Sequence, residues 1–490
     1  MYGVRKMSRD ILLTIVAFAL YGLSKLGFNA AAIRCLDPAV VGDINSLLSF
    51  HAILLVFTAQ PLASVVNRYI PEHIAEKDGL AVRSLFLRSI LLLCAILTVL
   101  TLVVGYGAWS HGGHGSTHSL LGNRLMPMTI PYLWAYGMYF LCKMIYYGYQ
   151  RITDYCIAEI MGSASFFFML VLAIHSGSAT AFVIPWIAHP IVFCSCFVWH
   201  FRRELRAGWK RQIDRGRRNA YLRYGFNWLT ASASGLGAYH LSILFTKMLQ
   251  ADAAAVGYYS VALSLLTPLN LLPTSVSMVL FPRITSNYAR GEDALNSGLI
   301  KKATANLLLP LGVCTVVICG MATEILGSMT IPTTRVNILA FQLVAAGLTV
   351  ALISSPSGSF LSATAYAGTA SVIGVSTLAL GVAVWIWAVP LWGNVGTAAG
   401  YATLMCARGA ANVLISNRVR EWLPTFSFRG YALPVLVGVS ATIAYPPWGI
   451  VTRLVLVVFV ALAVILVLVR ELSDMTKALV LLLPSRRARS

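Results

Sequence analysis

Apolar runs of helical length recur along almost the whole chain, separated by short polar turns. They fall at 10–34, 41–66, 85–108, 125–149, 152–175 and 181–200. After a polar interval they resume at 224–248, 256–280, 303–323, 337–357, 366–388, 395–416, 431–446 and 453–470. Crossing about 30 Å of hydrocarbon takes roughly 20 helical residues, and most of these runs reach that length. Backbone polar groups find no water inside a bilayer, so long apolar runs predict helices that bond within themselves. The pattern predicts an all-α polytopic membrane protein of about fourteen transmembrane helices. The 431–446 run is the shortest.

Composition agrees: 58% of the residues are hydrophobic and 11% are charged. A water-soluble fold has no means of covering so much apolar surface. The charged residues then orient the chain. With the N-terminus cytoplasmic, nearly all of the 37 lysines and arginines fall in cytoplasmic segments, nine of them between Arg202 and Arg223. The exceptions are Lys25, Arg34, Arg124, Lys143, Lys247, Arg335, Arg408 and Arg453. The positive-inside rule therefore predicts an even number of spans with both ends in the cytoplasm. The formal charge of +20 reports topology and attraction to anionic membrane lipids. Basic residues confined to short loops beside spans offer no nucleic-acid surface.

The first run is too long for the apolar core of a signal peptide, so it is read as a retained helix. All nine cysteines lie in or at the ends of apolar runs, where they act as small apolar residues. Cys194 and Cys196 sit two apart on a helix and point to nearly opposite faces, so neither a disulfide nor a zinc site follows. The loop His111-Gly112-Gly113-His114-Gly115-Ser116-Thr117-His118 lacks a carboxylate, and its glycines make it a linker rather than a metal site.

A shift of 215 residues brings the two halves into partial register. Asp37 falls on Asp252, Val41 on Val256, Gly42 on Gly257 and Arg68 on Arg283. Both halves run in the same direction, so the repeat is parallel, with its axis along the membrane normal. The expected organisation is an N-lobe over 1–200, a basic cytoplasmic loop over 201–223 and a C-lobe over 224–416. Two further spans and a basic tail occupy 417–490.

The segment Val256-Gly257-Tyr258-Tyr259-Ser260-Val261-Ala262, with Thr267-Pro268-Leu269 and Phe281-Pro282-Arg283-Ile284, resembles the eighth helix of polysaccharide transporters. These Wzx-like O-antigen and exopolysaccharide flippases belong to the MOP flippase superfamily. Gly393-Asn394-Val395-Gly396-Thr397-Ala398-Ala399-Gly400-Tyr401-Ala402 is similar to the start of their twelfth helix. The plan of six, six and two spans covers essentially the whole chain. The resemblance implies export of an undecaprenyl-diphosphate-linked oligosaccharide across a bacterial inner membrane for O-antigen, capsule or exopolysaccharide synthesis. It implies the lipid-linked oligosaccharide and a polysaccharide polymerase as partners, and a groove for the lipid tail in the last two spans.

Ionisable residues inside spans are costly and usually face a cavity or a partner. Lys25 lies about 22 Å along the first span at roughly 1.5 Å per residue, with Asn29 one turn beyond and Tyr21 one turn before. The same 215-residue shift sets it against His240, and Lys247 follows two turns later. Lys25, Asn29, His240 and Lys247, with Arg34 at the outer mouth, are the expected cationic, substrate-binding lining. The alternative for Lys25 and Lys247 is that they snorkel to the interface. Glu159, with Lys143 or Arg408, is expected either to form a structural ion pair or to carry a coupling proton. Gln60, Asn227, Asn270, Gln342 and Asn412 would line the cavity or bond between helices. Pro61, Pro185, Pro268, Pro273, Pro310 and Pro356 are candidate kinks.

No G-x-x-x-x-G-K-[ST] stretch occurs, so neither direct ATP use nor any cofactor is expected. Two rivals to a flippase remain. A membrane polymerase or glycosyltransferase needs acid/base groups at a wet surface, yet the longest outer loop, 109–124, has no Asp or Glu. A drug exporter of the same superfamily would share the helical plan.

Overall fold

The computed structural model of the chain describes residues 2–111, 123–206, 215–250 and 252–419. Among them every regular element is a helix. The first half contains α1 (Tyr2–Cys35), α2 (Pro38–Ala75), α3 (Gly79–His111), α4 (Met126–Gly148), α5 (Ile152–Ser176) and α6 (Ile184–His200). A short α7 (Arg202–Arg206) leads into the second half. That half opens with α8 (Arg215–Ala233), α9 (Leu236–Leu249), α10 (Ala253–Leu265), α11 (Leu271–Ala289) and α12 (Asp293–Gly320). It continues through α13 (Ala322–Ser328), α14 (Arg335–Ile353), α15 (Ser355–Ala363), α16 (Ala367–Trp392) and α17 (Asn394–Val419). The predicted spans at 431–446 and 453–470, the basic tail, residues 207–214 and the His-Gly loop after His111 lie outside the described residues. The rest of the segment predicted as a loop over 201–223 is largely helical, in α7 and the start of α8.

Eight stretches among the described residues are long and apolar enough to cross a membrane, including Leu13–Cys35, Pro38–Ile74, Gly79–Ser110 and Ala367–Trp392. Three predicted runs are interrupted well inside their length, and the 303–323 run breaks near its end at Met321. The 224–248 run is two helices, α8 and α9, parted at Ser234 and Gly235. The 256–280 run is α10, a 3-10 turn over Thr267–Asn270, and α11. Pro268 sits in that turn, where its missing N–H leaves no helical bond to break. The 337–357 run is α14 and α15, separated at Ser354, with Pro356 in the first turn of α15. By contrast, Pro61 in α2 and Pro310 in α12 lie inside continuous helices. Proline alone does not set the breaks; the turn chemistry around it does.

In the first half α2 packs on α3 and α4, while α5 packs on α1 and α6. In the second half α17 is flanked by α14 and α16, and α12 lies on α14. The halves meet where α2 touches α8, α9 and α10, and where α1 touches α10 and α11. Large apolar side chains on α3 stay uncovered: Leu102 is 67% and Val103 63% exposed. Hydrocarbon tolerates that face and water would not.

The internal repeat is visible in the caps. Asp37 accepts a 2.8 Å hydrogen bond from the Ala39 amide at the start of α2. Asp252 accepts one of 2.9 Å from the Ala254 amide at the start of α10. Each side chain satisfies one of the first free N–H groups of its helix. The capped helices then cross at equivalent glycines. A Cβ on Gly42 would stand 2.8 Å from the Gly257 nitrogen, and one on Gly257 would strike the Pro38 carbonyl. Only glycine lets two backbones approach this closely.

Candidate functional site

Residues 215 apart meet at the joint between the halves. Gly42 faces Gly257, and Asn45 Nδ2 donates to Ser260 Oγ at 2.9 Å. Contact between equivalent positions places them beside the axis that relates the halves. Lys25 of α1 and His240 of α9, also 215 apart, do not touch in this way but stand within electrostatic reach of each other. Lys25 Nζ lies 4.5 Å from the centre of the Tyr21 ring and 5.6 Å from that of Trp186. An ammonium over ring faces is held by their quadrupoles. The side chain therefore points at rings of α1 and α6. His240 Nδ1 lies 3.2 Å from Ser49 Oγ of α2. Asn29 is fixed between neighbours: its Nδ2 donates to the Lys25 carbonyl at 3.1 Å, and its Oδ1 accepts from Asn45 at 3.1 Å.

The other two members of the predicted lining are engaged in direct contacts that bridge the halves. Lys247 Nζ of α9 donates to Asp43 Oδ1 of α2 at 2.7 Å, with the lysine side chain 7% and the aspartate 28% exposed. Arg34 at the end of α1 donates through Nη2 to the Ser328 carbonyl of α13 at 2.8 Å. Together with the glycine crossing, these contacts shut the joint at the end that carries Asp37 and Asp252. Asp43 lies one and a half turns inside α2, aimed at Lys247.

Glu159 of α5 is completely buried. Its oxygens accept from Tyr139 Oη of α4 at 2.9 and 3.1 Å. His189 Nε2 of α6 stands 3.4 Å from Oε1, close enough for an ion pair but off the hydrogen-bond line. Lys143 Nζ reaches the group through Tyr139 Oη at 3.4 Å and lies 4.3 Å from the centre of the Phe18 ring. Arg408 of α17 is elsewhere: its guanidinium fills the space over Gly235, at the break between α8 and α9. Thus Glu159 meets His189 and Tyr139, with Lys143 one hydroxyl away. His189 was missed in the sequence. The signal was available, since it is a titratable residue within the apolar run 181–200.

The remaining candidate polar residues are scattered. Gln342 Nε2 donates to the Cys319 carbonyl at 2.9 Å, a bond between α14 and α12. Asn412 lies against Gly358, joining α17 to α15. Among the described residues no three His, Cys, Asp or Glu side chains gather as metal ligands.

The family model described as "Lipid II flippase MurJ" matches residues 63–330, more than half of the chain. No curated protein matches the sequence. Among solved structures, one described as lipid II flippase MurJ in an inward closed conformation superposes with a TM-score of 0.66 at 14% identity. That match covers 94% of this chain and 99% of the other. A mutant of the Vibrio cholerae MATE transporter VcmN gives a TM-score of 0.66 at 12% identity, covering 86% and 99%. A MOP superfamily transporter from Pyrococcus furiosus gives 0.62 at 12% identity, covering 89% and 96%. At these identities the likeness is one of fold.

Proposed function

This chain belongs to the lipid II flippase MurJ family, and from that premise we propose that it carries lipid II, a lipid-linked saccharide diphosphate, from the inner to the outer leaflet of a bacterial plasma membrane. The family description favours this peptidoglycan precursor as the cargo over an O-antigen or exopolysaccharide unit. The motifs at 256–284 and 393–402, which resemble those of polysaccharide transporters, keep the second cargo as a defined alternative.

The observation that carries the reading is that Lys25 of α1 and His240 of α9, one from each half, stand within electrostatic reach of each other. A diphosphate cannot enter hydrocarbon uncompensated, because removing a charge from water costs far more than thermal energy. In a low-dielectric setting a nearby fixed cation offsets much of that cost. One group from each repeat beside the axis keeps compensation available whichever way the joint opens. Lys25 is the headgroup cation in this scheme, with His240 opposite and Asn29 positioning α1 beside them. Lys247 and Arg34 hold the outer end shut by binding Asp43 and Ser328.

The cycle is alternating access by an N-lobe (1–200) and a C-lobe (224–416), with both chain ends cytoplasmic and the 201–223 loop on anionic headgroups. The lipid tail stays in the bilayer beside the final two spans. A potential negative inside favours outward movement of an anion by about 2.3 kcal/mol per charge for each ~100 mV.

Proteoliposomes carrying fluorescent lipid II or a fluorescent undecaprenyl-diphosphate-linked O-unit test both cargoes. Lipid II should flip, and Lys25→Ala should slow it at least about tenfold, the loss of roughly 1.4 kcal/mol of charge compensation. Flipping of the O-unit alone would reassign the cargo. Undiminished lipid II flipping by Lys25→Ala would remove Lys25 from the mechanism.

A further inference from the structure

The headgroup scheme leaves one buried assembly unused. Glu159 and His189 lie at the heart of the first half, 0% and 1% exposed. The fold builds a seat for the imidazole. Gly162, one turn after Glu159, leaves the room it occupies: a Cβ there would lie 2.9 Å from His189 Cδ2 and 3.1 Å from Nε2. Tyr21 stacks on the ring at 4.8 Å between centres, and Tyr139 meets it edge-on at 5.3 Å. So placed, Nε2 faces the carboxylate at 3.4 Å yet makes no hydrogen bond in the present arrangement.

We propose that Glu159 and His189 form a proton-binding site whose proton is taken up together with the anionic headgroup at Lys25. This rests on the assignment of Lys25 in the proposed function. The groups facing the carboxylate fix the logic. From α4 come Lys143, Tyr136, Tyr139 and Tyr147. His189 comes from α6 and Lys25 from α1, while Tyr155 lies on α5 itself. Without the added proton, the Glu159 carboxylate cancels one of the two ammonium charges. With it, shared between Oε1 and Nε2, the carboxylate charge is offset and both ammoniums are free to attract an anion. Proton and diphosphate thus favour each other's binding, and linkage makes the effect reciprocal. The proton comes from water and returns to it; the one bond made and later broken is its own, to Glu159 Oε1 or His189 Nε2, and no other covalent bond changes.

Two arms test the site. In pH-difference infrared spectroscopy the purified protein should show a carboxylic C=O band that Glu159→Gln removes and that Gly162→Ala, by displacing the imidazole, shifts. In detergent, undecaprenyl diphosphate should bind more tightly as pH falls, by at most about tenfold per pH unit for one linked proton. Glu159→Gln should abolish that slope, and Gly162→Ala should blunt it. A band that survives Glu159→Gln, or an unchanged slope in that variant, would overturn the proposal. The infrared arm needs no substrate, so it fails or succeeds independently of whether lipid II is flipped.

Discussion

Lys247 and Lys25 look alike in the sequence, each a single lysine far along an apolar run. Their surroundings separate them. Lys25 lies over the rings of Tyr21 and Trp186, with no carboxylate in direct contact among the described residues. Lys247 is spent on Asp43 at 2.7 Å. A hydrogen bond between charged groups contributes about 1.5–3 kcal/mol, which is roughly a tenfold to hundredfold bias toward the state that contains it. Lys247→Ala should therefore shift the population toward the state open at that end, read as increased labelling of the joint by a membrane-impermeant thiol reagent at an engineered Asn45→Cys. The charge swap Asp43→Lys with Lys247→Asp should restore wild-type labelling. If the swap labels like Lys247→Ala, the pair is not a latch.

At the scale of elements, the joint depends on how closely α2 and α10 can approach. The Asp37 and Asp252 caps start both helices in the same way, and the glycines that follow let their backbones touch. Gly257→Ala puts a methyl group into the Pro38 carbonyl. Overpacking of this kind costs about 1–3 kcal/mol, and here the helices relieve it by moving apart. The variant should unfold at lower temperature in detergent and flip lipid II more slowly, while Gly298→Ala, which meets nothing within 4 Å, should do neither. Equal melting of the two variants would show that the crossing is not tight. The interrupted helices belong to the same scale. The break between α8 and α9 sits at Ser234-Gly235 beside Arg408, and an apolar count averaged over twenty residues passes straight through it.

For the whole molecule, the decisive matter is whether the halves must part at the end closed by Arg34 and Ser328. Both residues are exposed there. With Cys35 replaced by Ala, Arg34→Cys and Ser328→Cys joined by a short cleavable thiol cross-linker should stop lipid II flipping, and cleavage should restore it. An impermeant cross-linker applied to intact cells should react only if this end faces outward. Flipping at an undiminished rate while cross-linked would rule out opening at this end, and protection in intact cells would reverse the topology.

The apolar runs, the basic segments between them and the 215-residue register were legible in the chain itself, because each is a property of neighbouring residues or of a fixed spacing. So was the presence of costly charges at Lys25, Lys143, Glu159, His240 and Lys247. Their partners were not. Asp43 and Lys247 are separated by 204 residues, and Glu159 reaches His189 rather than Arg408 only because α5 packs on α6. An isolated charge in hydrocarbon declares that some compensation exists. Which group supplies it is decided by helix packing, since the energy of the pair depends on a distance that no local pattern encodes.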